Sequence, residues 1–571
     1  MKKPIPLFFL FIGLLNFLSC NRFEKADLLI TNASIYTVNS EKPQAEAIAV
    51  LGDKIIQVAS KTLTEKLIGE NTKVIDAKGN FVMPGFIEGH AHFSNMGKAA
   101  LNINFLKSKN WKEIVQQVAD KTKEVKPGEW IEGRGWHQEK WNEALDKQKH
   151  GYPFHDDLSS VSPDNPTILF HASGHSLFAN AKAMEAAGIN LETPNPTGGE
   201  IIRDIDGNAI GVFEERAMQS IMGAYQAYLE GIPAEAKEEP WLKGIDLAQE
   251  ECLSKGITSF QDAGSSFEDV KRYKALAEEG KLDIRLWAML RHSYDEMKGN
   301  MTGLPIINAG NHHFTVKAIK TEVDGALGAF GAWLLRPYSD KPESEGQNTT
   351  SISEVKNIAQ LAFDKEMQLC VHAIGDRANR VVLNIMEEQF QKDSTQKDLR
   401  WRIEHAQHLS VKDIPRFKDL NVIASMQGIH CTSDAPFVVT RLGEERARTG
   451  AYPWRSLLDA GVIIANGTDA PVEDVDPLAS FYASVTRKRT DTGLEFFPEQ
   501  AMTRAEAIYS YTLGNAFAAF EEKDKGSLEI GKLADMVILS KDLLNCSDEE
   551  LLETEVLYTI VGGEIKYQKN D

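Results

Sequence analysis

The chain has 571 residues, 42% hydrophobic and 26% charged, a composition that builds globular domains and excludes a largely disordered or fibrous protein. That length predicts a large core and more than one domain. The formal charge of −20 repels phosphate backbones and anionic headgroups, which argues against nucleic acid and leaves a small molecule as the expected partner.

Lys2 and Lys3 precede the apolar run Ile5 to Leu18, which is too short for a comfortable membrane span and has the charge pattern of a secretory signal. It ends in Phe17-Leu18-Ser19-Cys20, which resembles a bacterial lipobox, although Phe17 stands where leucine is more usual. The resemblance implies a lipoprotein signal peptide over 1–19 and a lipid on Cys20. The mature protein would be held at the membrane of the cell envelope, facing periplasm or exterior. An uncleaved N-terminal helix with an incidental cysteine is the alternative. Cys252, Cys370, Cys431 and Cys546 lack the close spacing of a zinc knuckle, and Cys370 within QLCVH reads as a buried structural thiol.

Residues 20–80 carry short β patterns (DLLITNASIYTV, AIAVLGDKIIQVA), and 516–571 carry a similar set (KGSLEIGKLADMVILS, EVLYTIVGGEIKY). Two incomplete β layers at opposite ends predict one composite β-sandwich domain closed by both termini. Between them, over 81–515, short apolar strands alternate with helical patterns, the α/β signature of a parallel sheet. Eight strands are predicted: FVMPGFI (81–87), GITSFQD (256–262), LDIRLWAML (282–290), TVKAIK (315–320), QLCVH (368–372), WRIEH (401–405), NVIASM (421–426) and VIIANGTD (462–469). Eight is the number a (β/α)8 TIM-like barrel needs. The gap after the first strand is too long for one loop and predicts an insertion, about 100–250, over the barrel mouth.

His90 and His92 lie two residues apart, so an extended backbone would put both on one side, about 6.5 Å apart along the chain. A bare His-x-His is weak evidence of a metal site, since surface histidines give the same pattern. The strand ends strengthen it. His90 and His92, Lys320, His372, His405 and Asp469 close five of the eight strands, and barrel active sites form at the C-terminal ends of strands. Each of these residues can hold a metal.

PGFIEGHAH, GRGW followed by Trp141, GHSLFAN, KTEVDGALG, VHAIGDRAN, RIEHAQ, ASMQGIH and NGTDAPV occur in this order across nearly the whole mature chain. On these motifs the chain resembles the amidohydrolase superfamily, and more narrowly its YtcJ-like, amidohydrolase-3 branch. The resemblance implies a divalent metal, zinc by the donor types, as one or two ions. His90 and His92 would hold one ion and His372 and His405 the second, with Lys320 bridging after its amine has reacted with carbon dioxide to form a carbamate. Lys317 is the alternative lysine. Asp469 would shuttle a proton from the metal-activated water to a leaving nitrogen, giving hydrolysis of an amide-like C–N bond outside the peptide backbone. His430 is placed to hydrogen-bond the substrate oxygen or is structural, and the same alternatives hold for His171 and His175 as pocket walls. His137 stands where many relatives have an acid. Gly428 replaces a usual proline, which predicts a looser seventh loop, and Phe330 replaces a usual arginine, which counts against an anionic substrate.

The competing readings are an isomerase or C–O hydrolase on the same scaffold, and a non-catalytic surface-binding lipoprotein that has no need of Asp469. A homodimer is left open.

Overall fold

The computed structural model describes residues 24–138, 141–172, 174, 176–196, 199–328, 330–392 and 398–570. The expected signal peptide, Cys20 and His175 lie outside the described residues. Among the described residues no helix is long and apolar enough to cross a membrane.

Eight parallel strands lie side by side in one sheet: β1 (Phe86–Ala91), β2 (Ile257–Ser265), β3 (Arg285–Leu290), β4 (Phe314–Glu322), β5 (Gln368–Ala373), β6 (Arg402–His405), β7 (Ile423–Gln427) and β8 (Ile464–Gly467). They are buried almost throughout, as strands must be when side chains fill one face and helices cover the other. The first and last strands meet beyond their C-terminal ends. There Asp469 N donates to the His90 carbonyl at 2.7 Å and His92 N to the Ala470 carbonyl at 2.8 Å, so the sheet is nearly closed into a barrel.

The stretch expected to form one strand over 81–87 is divided. Phe81–Pro84 pairs with Ser34–Tyr36 and with Met536–Leu539 in a different sheet, and the barrel begins at Phe86. Gly85 makes the turn between them at a point where a Cβ would stand 2.2 Å from the Thr258 side chain, so only glycine fits against β2. Both halves are apolar because both are buried.

The sheet that takes Phe81–Pro84 has six strands and draws on both ends of the chain, in the order Glu564–Gln568, Val556–Val561, Met536–Leu539, Phe81–Pro84, Ser34–Tyr36, Gln44–Ala45. A four-stranded sheet from residues 28–76 shares an apolar cluster with it that includes Ile30, Ile48, Val82, Met536 and Ile560. Between β1 and β2 the chain forms another six-stranded sheet, from Ile103–Asn104 to Ala209–Glu215, with apolar clusters around Trp136 and Phe213.

Candidate metal centre

Glu88, His90 and His92 alternate along β1 and its end, so all three side chains turn to the barrel interior. Burial pushes His90 down to about 4, against the pull of Glu404, so its ring is neutral near pH 7. Nδ1 donates to Glu404 Oε2 at 2.5 Å, which leaves the Nε2 lone pair bare and aimed into the interior. Glu404 is itself buried, but Arg402 (Nε to Oε1, 2.5 Å) and the His90 ring hold it well below the usual carboxylate range. Arg402 reaches further to Gln261 Oε1 (2.5 Å) and the Gly89 carbonyl (3.3 Å), completing a buried polar network.

In a regular strand His405 would face away from its neighbours Arg402 and Glu404. Its backbone instead takes φ 72°, followed by Ala406 at 42°, and the ring lies with its centroid 4.7 Å from His90 and 4.5 Å from His372. Nδ1 of His405 faces Gln427 Oε1 at 2.7 Å, an oxygen that can only accept, so this ring too presents a bare Nε2. His372, in β5, is pushed by burial down to about 3. Its Nε2 lies 3.7 Å from Asp324 Oδ1.

Asp469 follows β8 by two residues and has φ 62°. Its Oδ1 is 3.2 Å from His92 Nε2 and 3.6 Å from His90 Nε2, and its Oδ2 is 3.9 Å from His430 Nε2. Burial pushes this carboxyl up, but the hydrogen bond from His92 and the surrounding imidazoles hold it well below the usual range.

Lys320 is buried in β4 and makes no hydrogen bond or ion pair among the described residues. It is paired in register with Cys370, two residues before His372, and burial lowers its pKa below that of an ordinary lysine. Lys317 sits on the other side of the strand, with its ammonium 3.7 Å from the Phe520 ring centroid. Of the two lysines, Lys320 faces the histidines.

His430 lies in the first turn of the helix Gly428–Leu442. Its Nδ1 faces the Gln407 amide nitrogen at 3.1 Å, a group that can only donate, so its ring proton is on Nε2. The expected loosening at Gly428 is absent. A Cβ there would come within 2.3 Å of Ser484 Oγ, and the Gly428 N–H donates to Asn466 Oδ1 at 2.9 Å, so the turn is tightly held and a proline would lose that bond. Phe330 packs under the Arg441 guanidinium, 4.0 Å from its ring centroid. His137 and His171 lie ring to ring at 4.5 Å in the inserted sheet, with Trp136 4.6 Å from His171.

Arg402, Glu404, Gln407, Gln427 and Asp324 were not singled out from the sequence. Four of them lie inside or directly beside the quoted motifs RIEHAQ and ASMQGIH, next to histidines that drew attention instead. Asp324, in KTEVDGALG, is fully buried and accepts from the backbone N–H groups of Trp333, Ile374 and Gly375, yet burial still pushes it up to about 7.

His90 Nε2, His372 Nε2 and His430 Nε2 are buried with no hydrogen-bond partner. Ligand atoms of His90, His92 and Asp469 lie within 4.8 Å of one another, as do those of His405, His430 and Asp469. The bare Nε2 atoms of His90 and His405 beside the ionised Asp469 carboxylate fit a divalent cation by charge and donor type, whereas His430 Nε2, which carries its ring proton, faces the same carboxylate as a donor.

The model of the amidohydrolase family matches residues 73–567. The chain belongs to this family. The putative amidohydrolase YtcJ of Bacillus subtilis is 30% identical to it over 545 residues, covering 94% of this chain and 98% of YtcJ. An N-substituted formamide deformylase of Arthrobacter pascens is 28% identical, covering 96% of this amidohydrolase and 99% of the deformylase. The crystal structure of an uncharacterized metal-dependent hydrolase from Pyrococcus horikoshii is similar at a TM-score of 0.74 and 26% identity, with 91% of this amidohydrolase and 99% of that chain covered. This amidohydrolase is a metal-dependent hydrolase with a barrel of the same kind.

Proposed function

We propose that the enzyme hydrolyses an amide-like C–N bond in a small molecule, with Asp469 moving the proton. The observation that carries this is the position of the Asp469 carboxylate, within 4 Å of three imidazole Nε2 atoms at the end of the barrel. A formamide deformylase matched over nearly its full length supports C–N over C–O cleavage.

In this reading His90 and His92 would hold one cation and His372 and His405 a second, with zinc favoured by the donors and Lys320, as its carbamate, supplying a further carboxylate ligand. A divalent cation held there supplies Lewis acidity, polarising a carbonyl and acidifying water. Asp469 is kept ionised by the imidazoles around it, so it can accept a proton from the attacking water and return it to the leaving nitrogen. His430, with its proton on Nε2, donates to the substrate oxygen as negative charge grows there. Gln407 fixes that role, because an Nδ1 that accepts from an amide leaves Nε2 as the donor. The same ring is thereby a poor metal ligand, which separates it from His90 and His405.

Elemental analysis of the purified protein, followed by turnover of paired amide and ester panels, tests the reading. Asp469→Ala is expected to lower kcat about 10²- to 10⁴-fold on amides, with metal content measured alongside. Undiminished turnover in that variant would rule out the shuttle.

A further inference from the structure

Asp434 stands one turn after His430 in the helix Gly428–Leu442, and residues four apart lie on one side of a helix. Side chains lean towards the N-terminus of their helix, so the Asp434 carboxylate leans over the turn that carries His430, about 6 Å away along the axis. That turn is fixed from outside. Pro436 has no N–H for the Thr432 carbonyl, and Arg489 donates to it instead at 2.9 Å and to the Ser433 carbonyl at 3.3 Å. Tyr452, wholly buried, donates from Oη to Asp434 Oδ2 at 2.6 Å, and its own N–H donates to the Gln407 carbonyl at 2.6 Å. Gln407 is the residue whose amide faces His430 Nδ1, so one segment sets both His430 and Asp434.

Among the described residues Tyr452 is the one partner of this carboxylate, which makes no ion pair. Asp434 keeps some exposure where Tyr452 has none, and Oδ1 is not enclosed, so the unpaired oxygen lies on the side that a ligand can reach. The cations of the neighbouring segment are turned elsewhere. Arg487 donates to the Phe496 and Tyr452 carbonyls, and Arg489 pairs with Asp491. Burial pushes Asp434 up to about 6, so it is ionised at pH 7, and Glu473 adds a second negative charge nearby. A partly buried carboxylate with one oxygen open and no cation of its own is met best by a positively charged donor.

We propose that Asp434 binds a protonated amine of the substrate, and that the substrate class is an amide with an ammonium group about 6 Å from its carbonyl oxygen, such as a monoacylated diamine or an ω-amino amide. This rests on the C–N hydrolysis proposed above and deepens it. The spacing comes from the helix, since His430 meets the carbonyl oxygen and Asp434 waits one turn further on. It agrees with the expectation drawn from Phe330, which counts against an anionic substrate.

The test uses the full-length, metal-loaded enzyme with monoformyl and monoacetyl α,ω-diaminopropane and α,ω-diaminobutane and with ω-aminobutanamide, each beside the uncharged compound in which a methyl group replaces the amine. The wild type is expected to favour the charged member of a pair about tenfold or more in kcat/KM. Asp434→Asn keeps an acceptor for Tyr452 Oη but carries no charge. It is expected to raise KM for the charged compounds about 30-fold, about tenfold more than for the uncharged ones. Asp434→Glu restores the charge and is expected to recover part of the preference, with thermal melting of both variants as the check on folding. Equal treatment of charged and uncharged compounds by the wild type, or an amine preference that survives Asp434→Asn, would overturn the assignment. If no amide is cleaved, the C–N reading fails and calorimetric binding of monoacetyl diaminobutane decides the site by itself. Binding weakened about tenfold or more in Asp434→Asn keeps the ammonium site, and equal or absent binding removes it.

Discussion

Arg402, Glu404 and His90 form a chain of buried hydrogen bonds whose outcome is one bare nitrogen, Nε2 of His90. An ionised carboxylate behind a ligand imidazole fixes its tautomer and raises its basicity. Glu404→Gln keeps the shape but removes the charge, and its amide can turn a donor towards Nδ1, which selects the wrong tautomer. Metal affinity, measured by competition with a chromogenic chelator, is expected to fall about 10- to 100-fold. Affinity equal to the wild type would show that Glu404 serves the fold alone. At this scale the sequence marked residues by side-chain type, such as His90, His405 and Asp469, which the fold brings together. It did not reveal those that act by orientation. Glu404 reads as one more acid in a strand until β6 and β1 are seen to face each other across the interior.

The turn from β7 into the helix Gly428–Leu442 shows how an element places a side chain. Gln427 ends the strand with its oxygen on His405, and three residues later His430 points towards Asp469. Gly428 lets the helix Pro477–Thr486 press against that turn, where a Cβ would lie 2.3 Å from Ser484 Oγ and 2.5 Å from the Ser480 carbonyl. Gly428→Ala is expected to cost about 1–3 kcal/mol, read as a lower melting temperature, and to lower kcat by displacing His430. A variant that melts like the wild type would mean that the two helices can part without loss. Seven of the eight barrel strands were legible as short apolar runs, because strands buried on both faces advertise themselves by composition, while the first, Phe86–Ala91, was anticipated only at Phe86 and Ile87. The division of 81–87 between two sheets was marked only by Pro84-Gly85. The strand Ile131–Trp136 was obscured by the glycines and charges of EWIEGRGWHQ.

For the molecule as a whole, the question is what fastens the chain ends to the barrel. Arg285, in β3, forms a bidentate pair with Asp535 beside the strand Met536–Leu539, at 2.7 and 2.9 Å, both groups buried. Asp535 Oδ1 also accepts the Gly562 N–H at 2.8 Å, so one carboxylate joins the barrel to two segments of the C-terminal region. Burial pushes Asp535 up, but Arg285 outweighs it and the folded carboxyl titrates below its ordinary value. A group with a depressed folded pKa binds its proton more readily in the unfolded chain. Its contribution to stability is therefore complete above about pH 4 and is lost as pH falls through the folded value. Asp535→Ala leaves a buried guanidinium unpaired and is expected to cost about 3–5 kcal/mol. That loss would appear at pH 7 as a lower melting temperature. Because the carboxylate is already gone, the gap between variant and wild type should narrow as pH is lowered below 4. A gap that stays constant into acid would show that Asp535 contributes through packing, and that the two ends are held by the apolar cluster around Val82 and Ile538 instead.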